Sequence, residues 1–192
     1  MCYVHLEDCE IKHAILTTEQ WIRLIDEAYE AGMTFATLTG GEALYYPGFK
    51  AIYQHLCDLG VIITLKTNGV LLDQKMIEFL VERPPYCTTI SVYGGSEEAY
   101  EAVTGKRVFS LVDRNIRNAK SAGLAINIAL TVSKYMAPYF KDTLSYVQST
   151  GLVYNMSSYL IDAREDTGRH LDEYGLSLNE MIDAIRYRRM TE

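Results

Sequence analysis

Apolar residues along this chain switch between two spacings, and the switch recurs about every thirty residues. Apolar positions three or four residues apart predict amphipathic helices, and short β-branched runs predict strands. The first helix is predicted to begin at Thr17-Thr18-Glu19-Gln20, a capping box in which Thr17 and Gln20 satisfy each other's end groups. Strands are predicted to start near residues 34, 61, 88, 124 and 152, with helices in the gaps between them.

Strands that alternate with helices predict a parallel sheet built from βαβ units. In the predicted strand 125–132, Ile126, Ile128 and Leu130 share one face, and small or polar residues share the other. A doubly wound sheet is covered on both faces, so its strands are continuously apolar. The alternation therefore favours an α/β barrel with helices outside and a ligand inside. Because five strands cannot close an eight-stranded barrel, we expect a partial, TIM-like barrel of parallel strands.

Composition narrows the class of protein. A chain of 192 residues with 48% hydrophobic and 22% charged residues predicts a single domain, 1–192. The net charge of −7 argues against a nucleic-acid partner. No apolar run reaches membrane-spanning length and no signal peptide is evident, so we expect a cytoplasmic protein without a membrane partner. Cysteines at positions 2, 9, 57 and 87 are then free thiols or metal ligands rather than disulfides.

The candidate chemistry lies at the carboxyl ends of the predicted strands, where parallel β/α proteins bind ligands. Each residue has an ordinary structural interpretation when taken alone: a tight turn at the glycines, an Asn-Gly turn, or a satisfied strand hydroxyl. The candidates are Gly40, Gly41, Glu42, Thr67, Asn68, Ser91 and Thr131.

Three segments in order change that interpretation. They read LTGGEAL from Leu38, LKTNG from Leu65, and ISVYG from Ile90 with Val103-Thr104-Gly105 following. Together they resemble the signature segments of the radical S-adenosylmethionine (SAM) superfamily, and the resemblance runs from Met1 to about Asp166. Within that family the chain is most similar to the branch that modifies ribosomally made peptides and proteins, which often carries a cysteine-rich extension of the SPASM type.

The resemblance implies a partial (β/α)6 barrel that binds a [4Fe–4S] cluster and SAM. Three cysteines of a C-x3-C-x2-C motif hold the cluster, and SAM yields a 5′-deoxyadenosyl radical that takes a hydrogen atom from substrate. It also implies a peptide or protein substrate and a reductant such as flavodoxin or ferredoxin. The residues implied to contact SAM are Gly40, Gly41, Glu42 (methionine amino group), Thr67, Asn68 (beside SAM), Ser91 (ribose or carboxylate) and Thr131.

The N-terminus departs from the family pattern. Met1-Cys2 resembles the end of the cluster motif, with Cys2 as its third cysteine and metal ligand. We therefore expect the first strand and two cysteines to be missing, and the domain to be incomplete at the C-terminus as well. One hypothesis is a fragment of a radical SAM enzyme. An alternative is a cluster-less remnant that binds SAM or a peptide without catalysis.

A third alternative is an unrelated barrel enzyme that uses Gly40-Gly41 to bind phosphate. It is disfavoured because the nearest basic residue, Lys50, is poorly placed. If the first strand is missing, the strand 34–39 is expected to present an unpaired edge.

Overall fold

The computed structural model of the chain describes residues 15–160 and 171–191. The described strands are β1 (Phe35–Leu38), β2 (Ile62–Thr67), β3 (Cys87–Val92), β4 (Ile126–Thr131) and β5 (Val153–Ser157). The described α-helices are α1 (Thr18–Glu30), α2 (Phe49–Asp58), α3 (Gln74–Glu82), α4 (Glu97–Thr104), α5 (Phe109–Ser121), α6 (Phe140–Ser149), α7 (Leu171–Tyr174) and α8 (Leu178–Thr191).

The five strands form one sheet in the order β1-β2-β3-β4-β5. The pairs β1–β2 and β2–β3 are parallel, as expected for strands joined by helices. Each strand starts within two residues of its predicted position. The predicted α/β class is therefore confirmed, and β1 is an edge strand within the part of the chain that is described.

Helix starts follow the local capping signals. In α1, Gln20 N donates to Thr17 Oγ1 over 3.3 Å, and Thr17 N donates to Gln20 Oε1 over 2.8 Å, which confirms the capping box. The carboxylate of Asp73 accepts from Met76 N over 2.9 Å and begins α3 in the same way. These contacts are local in sequence, which explains why the pattern of residues predicts them well.

The chain divides into two compact units. The first unit contains the described residues 15–90 and Val112–Asn127, and the second contains Ser91–Leu111, 128–160 and 171–191. Fully buried side chains of the first unit include those of Tyr53, Leu56, Leu65, Leu72, Ile77, Leu80, Ile90 and Ile116. The core of the second unit contains Val103, Leu130, Val132, Met136, Phe140, Leu144, Leu176 and Ala184. The prediction of a single domain over 1–192 stays a prediction.

In β2, β3 and β4, the residues of one face are buried and those of the other face are not. In β2, Ile63, Leu65 and Thr67 are buried, whereas Thr64 between them is half-buried and Lys66 is exposed. Strand β4 repeats this pattern, with buried isoleucine and leucine alternating with half-buried small or polar residues. Helix α2 packs against β2. The predicted alternation of an apolar face with a small or polar face is therefore confirmed.

An apolar groove follows the free edge of β1 in the first unit. Side chains of α1 and α2, among them Trp21, Leu24 and Phe49, line it together with Phe35 and the Gly40-Gly41 loop. Phe35 is 67% exposed, although it begins a strand. The expected open edge is thus present in the described part of the chain.

Towards the C-terminus, β5 ends at Ser157, and Tyr159 and Leu160 lie outside any strand. The sixth strand that the (β/α)6 resemblance implies would fall at about 159–169, and residues 161–169 lie outside the described residues. At the start of α8, Ser177 N and Ser177 Oγ both donate to Glu180 Oε2, over 2.8 and 2.7 Å. Among the described helices, none has the length and apolar character needed to cross a bilayer.

Candidate cofactor-binding site

The loop after β1 exposes its backbone. Gly40 has φ of 142°, a conformation that side-chain-bearing residues rarely adopt. A Cβ built at Gly40 would meet no heavy atom within 4 Å, and both Gly40 and Gly41 are exposed. The peptide groups of this loop are therefore accessible to a ligand approaching the carboxyl end of β1.

The carboxylate of Glu42 ties this loop to the next strand end. Its Oε1 accepts from Leu44 N over 3.1 Å and from the Thr67 hydroxyl over 2.8 Å. Its Oε2 accepts from Asn68 N over 2.8 Å. Since an ionised carboxylate has about four lone-pair positions, one acceptor position remains on Oε2.

The turn after β2 uses its own side chains to hold its shape. Thr67 Oγ1, which donates to Glu42, accepts from Gly69 N over 3.1 Å. Asn68 Oδ1 accepts from Val70 N over 2.9 Å, an Asx-turn. The Thr67 side chain is only 4% exposed, and its hydroxyl both donates and accepts within the protein. Thr67 thus shapes the turn, and its backbone borders the open strand end.

Asn115 on α5 supports this turn and was missed by the sequence analysis. Its side chain is 2% exposed, and Nδ2 donates to Gly69 O over 2.8 Å and to Val70 O over 3.3 Å. The signal in the sequence was a lone amide within the apolar stripe of α5, which also contains Val112, Ile116 and Ala119. A buried amide in such a stripe needs partners, and two carbonyls of a distant turn provide them.

Gly69 is packed closely against two neighbouring elements. It has φ of 79°, and a Cβ built there would lie 2.9 Å from Ile90 Cγ2 and 3.3 Å from Val112 Cγ1. The predicted Asn-Gly turn is present, and its glycine is required by space as well as by conformation.

The structure brings together the five candidates of the first unit: Gly40, Gly41, Glu42, Thr67 and Asn68. The other two candidates belong to the second unit. Ser91 is half-buried in β3, and Thr131 is half-buried at the end of β4. The strand residues next to each of them are buried. Ser91 and Thr131 therefore lie on the opposite, open face of their strands.

The predicted metal ligand, Cys2, lies outside the described residues, as does Cys9. Of the described cysteines, Cys57 is half-buried on α2 and Cys87 begins β3, and both are free thiols. Burial raises the pKa of the Cys57 thiol, which favours the unreactive protonated form. No set of three or more His, Cys, Asp or Glu side chains suited to a metal ion occurs in residues 15–160 and 171–191.

Comparison with known proteins gives a family match. The model of the radical SAM superfamily matches residues 1–146. The chain is 28% identical over 123 residues to the PqqA peptide cyclase of Streptomyces rochei, a match that covers 64% of this chain and 34% of that protein. It is 28% identical to the AdoMet-dependent heme synthase of Methanosarcina barkeri (72% of this chain, 40% of that protein). The subtilosin biosynthesis protein AlbA of Bacillus subtilis is 23% identical (100% and 41%).

Solved structures show the same fold. The enzyme anSMEcpe with bound AdoMet and the Kp18Cys peptide superposes with a TM-score of 0.75 at 18% identity, covering 97% of this chain and 54% of that one. SuiB of Streptococcus suis bound to its precursor peptide SuiA superposes with a TM-score of 0.75 at 14% identity, covering 97% and 41%. The predicted partial-barrel class is confirmed. The chain spans about a third to half of the length of these proteins.

Proposed function

Because the chain belongs to the radical SAM superfamily, we propose that it is the core of an enzyme that uses a [4Fe–4S] cluster and SAM to modify a peptide or protein. The observation that carries the proposal is the assembly of two family segments at adjacent strand ends. Glu42 joins the exposed Gly40-Gly41 loop to the Thr67-Asn68 turn by hydrogen bonds of 2.8 Å. Members of this family bind both the cluster and SAM.

The residues present fit the amino acid end of SAM. The accessible peptide groups of Gly40 and Gly41 offer carbonyl acceptors, and Glu42 Oε2 has a lone-pair position left for an ammonium group. The positive φ at Gly40 favours glycine there, and a glycine has no side chain that would cover the exposed peptide groups. When bound, the cluster and SAM together supply a 5′-deoxyadenosyl radical that removes a hydrogen atom from the substrate.

Each remaining candidate has a proposed part. Asn68 and Thr67 fix the backbone beside the cofactor, while Ser91 and Thr131 offer hydroxyl groups to its ribose or carboxylate. Cys2 is the proposed cluster ligand within this chain. Their hydrogen-bonding chemistry supports these assignments: hydroxyl and amide groups can each donate and accept, which suits a zwitterionic cofactor.

A peptide or protein is the proposed substrate. The relatives include a peptide cyclase, and one solved structure of this fold contains a precursor peptide. We further propose a one-electron reductant such as flavodoxin or ferredoxin, and a cytoplasmic location in which the free thiols of Cys57 and Cys87 stay reduced.

Anaerobic reconstitution with iron and sulfide tests the proposal. In a form of the protein that also contains the two other cysteines of the C-x3-C-x2-C motif, we expect an electron paramagnetic resonance signal after reduction that changes when SAM is added. Cys2→Ser should weaken this signal, and Cys57→Ser should leave it intact. Calorimetric titration with SAM gives the second measurement. SAM binding without any cluster signal would favour the cluster-less alternative, and absence of both would contradict the proposal.

A further inference from the structure

Lys66 is the only Asp, Glu, Lys or Arg residue in the five described strands. It is exposed, because it occupies the open face of β2 while Leu65 and Thr67 beside it point to the covered face and are buried. The cross-strand neighbour of Lys66 on β3 is Thr89, and Thr64 lies two residues before it on the same face. A single cation therefore stands on a face that otherwise carries uncharged side chains.

The usual structural reasons for a strand lysine do not apply here. Lysines protect edge strands from pairing with other chains, but β2 lies between β1 and β3. Lysine is also uncommon in strands unless contacts with neighbouring side chains stabilise it there. Within the described part of the chain, Lys66 takes part in none of the ion pairs or hydrogen bonds, so no protein carboxylate balances its charge.

We propose that Lys66 binds a carboxylate of the peptide substrate, and so selects substrates with an acidic group beside the reaction site. This inference rests on the proposed function. Lys66 directly precedes the Thr67-Asn68 turn in the chain, so its backbone adjoins the strand end at which the cofactor site is proposed. The hydroxyl of Thr89, opposite it, offers a second donor to the same carboxylate.

Charge favours the substrate over the cofactor as the partner of Lys66. SAM carries a carboxylate, but its ammonium and sulfonium groups give it a net positive charge, so a lysine beside it adds repulsion. An acidic peptide, in contrast, meets a chain with a net charge of −7. Such a peptide needs a local cation to overcome that repulsion, and Lys66 is that cation on the described strands.

Selection from a random displayed peptide library tests the proposal, using the full chain, Lys66→Met, Lys66→Glu, and the matched controls Lys75→Met and Lys75→Glu. Lys75 is an exposed lysine on α3, away from the strands. We expect the unmodified chain to enrich Asp and Glu over Asn and Gln roughly fivefold, as one solvent-accessible ion pair allows. Lys66→Met should abolish this preference, Lys66→Glu should reverse it towards Lys and Arg, and the Lys75 variants should keep it.

The same samples are titrated with SAM, which separates this inference from the proposed function. If SAM fails to bind but the acidic preference depends on Lys66, the proposed function fails, and Lys66 is then a binding site for a peptide carboxylate without a role in SAM-dependent chemistry. The inference is overturned if the unmodified chain shows no acidic preference, or if Lys66→Met retains it. It is also overturned if Lys66→Met weakens SAM binding while peptide preference is unchanged, because the lysine then serves the cofactor.

Discussion

The loop after β1 and the turn after β2 meet at Glu42, yet they are built in opposite ways. In the loop, Gly40 is exposed and a Cβ there would meet nothing. In the turn, Gly69 is buried against Ile90 and Val112, and Asn115 holds its carbonyl from α5. Gly40 and Gly69, one from each of two family segments, thus serve different structural purposes. The loop keeps its backbone accessible, and the turn gives that loop a fixed support through Glu42.

This difference predicts that the turn governs the stability of the first unit and that the loop governs ligand binding. The largest effect is expected from Asn115→Leu, which keeps the branching of the side chain at Cγ but leaves Gly69 O and Val70 O without their donor. Loss of that donor should lower the free energy of unfolding by about 2–3 kcal/mol. Urea denaturation measures it, and Asn118→Leu, an exposed position on the same helix, is the matched control. Equal losses in the two variants would contradict the assigned role of Asn115.

The two glycines can be compared directly by adding one methyl group to each. Gly69→Ala should cost about 2 kcal/mol, because the new Cβ would lie 2.9 Å from Ile90 Cγ2 in addition to the positive φ. In Gly40→Ala the exposed loop can relax, so we expect a smaller loss of stability and a clear loss of SAM affinity. Thermal melting and calorimetric titration of both variants test this. A Gly40→Ala variant that binds SAM normally would remove the loop from the site.

Glu42→Gln tests the link between the loop and the turn. The amide keeps one acceptor but places an NH2 group against a donor, either the Thr67 hydroxyl or Asn68 N. We expect a loss of about 1–2 kcal/mol in unfolding free energy, together with weaker SAM binding. Glu27→Gln on the exposed surface of α1 serves as the control and should change neither quantity.

The smallest effect is expected at Glu97, a carboxylate with similar partners in the second unit. It accepts from Ser110 Oγ, Ser110 N and Phe109 N, and these bonds, foremost that from Ser110 Oγ, hold the pKa of Glu97 below its usual value. The stabilisation is complete above the usual carboxyl pKa and is lost as the pH falls through the lowered pKa.

Glu97→Gln should therefore reduce stability slightly at neutral pH and flatten the acid limb of the stability profile. Urea midpoints measured across the acid range, with Glu82→Gln on α3 as the control, test this expectation. If the acid limb is unchanged, the hydrogen bonds of Glu97 do not lower its pKa in the folded protein relative to the unfolded chain.

Features that depend on neighbouring residues could be predicted from the sequence. The capping box at Thr17 and the alternation along β4 follow from contacts a few residues apart or from the period of a strand. The family segments also located the strand ends correctly. The meeting of the first two segments at Glu42 could be expected because parallel strands carry their carboxyl ends to the same edge.

Features that depend on distant residues could not be predicted. The sequence analysis offered Glu42 as an acceptor for a ligand, whereas three of its acceptor positions are engaged by Leu44, Thr67 and Asn68. Asn115 lies 46 residues from the carbonyl of Gly69, so no local pattern pairs them. Lys66 also passed unremarked, because its isolation emerges only when every strand boundary is known.

Among residues 15–160 and 171–191, β1 pairs with β2 alone, and a strand edge that stays unpaired is a concentration-dependent liability. Backbone amides and carbonyls along this edge bond to any extended segment whatever its side chains, so recruitment of a second chain is a bimolecular event that competes with unimolecular folding. The exposed aromatic ring of Phe35 adds an apolar contact to that encounter. Dilution should therefore improve the yield on refolding, and a lysine in place of Phe35 should extend the concentration range in which the chain remains a monomer.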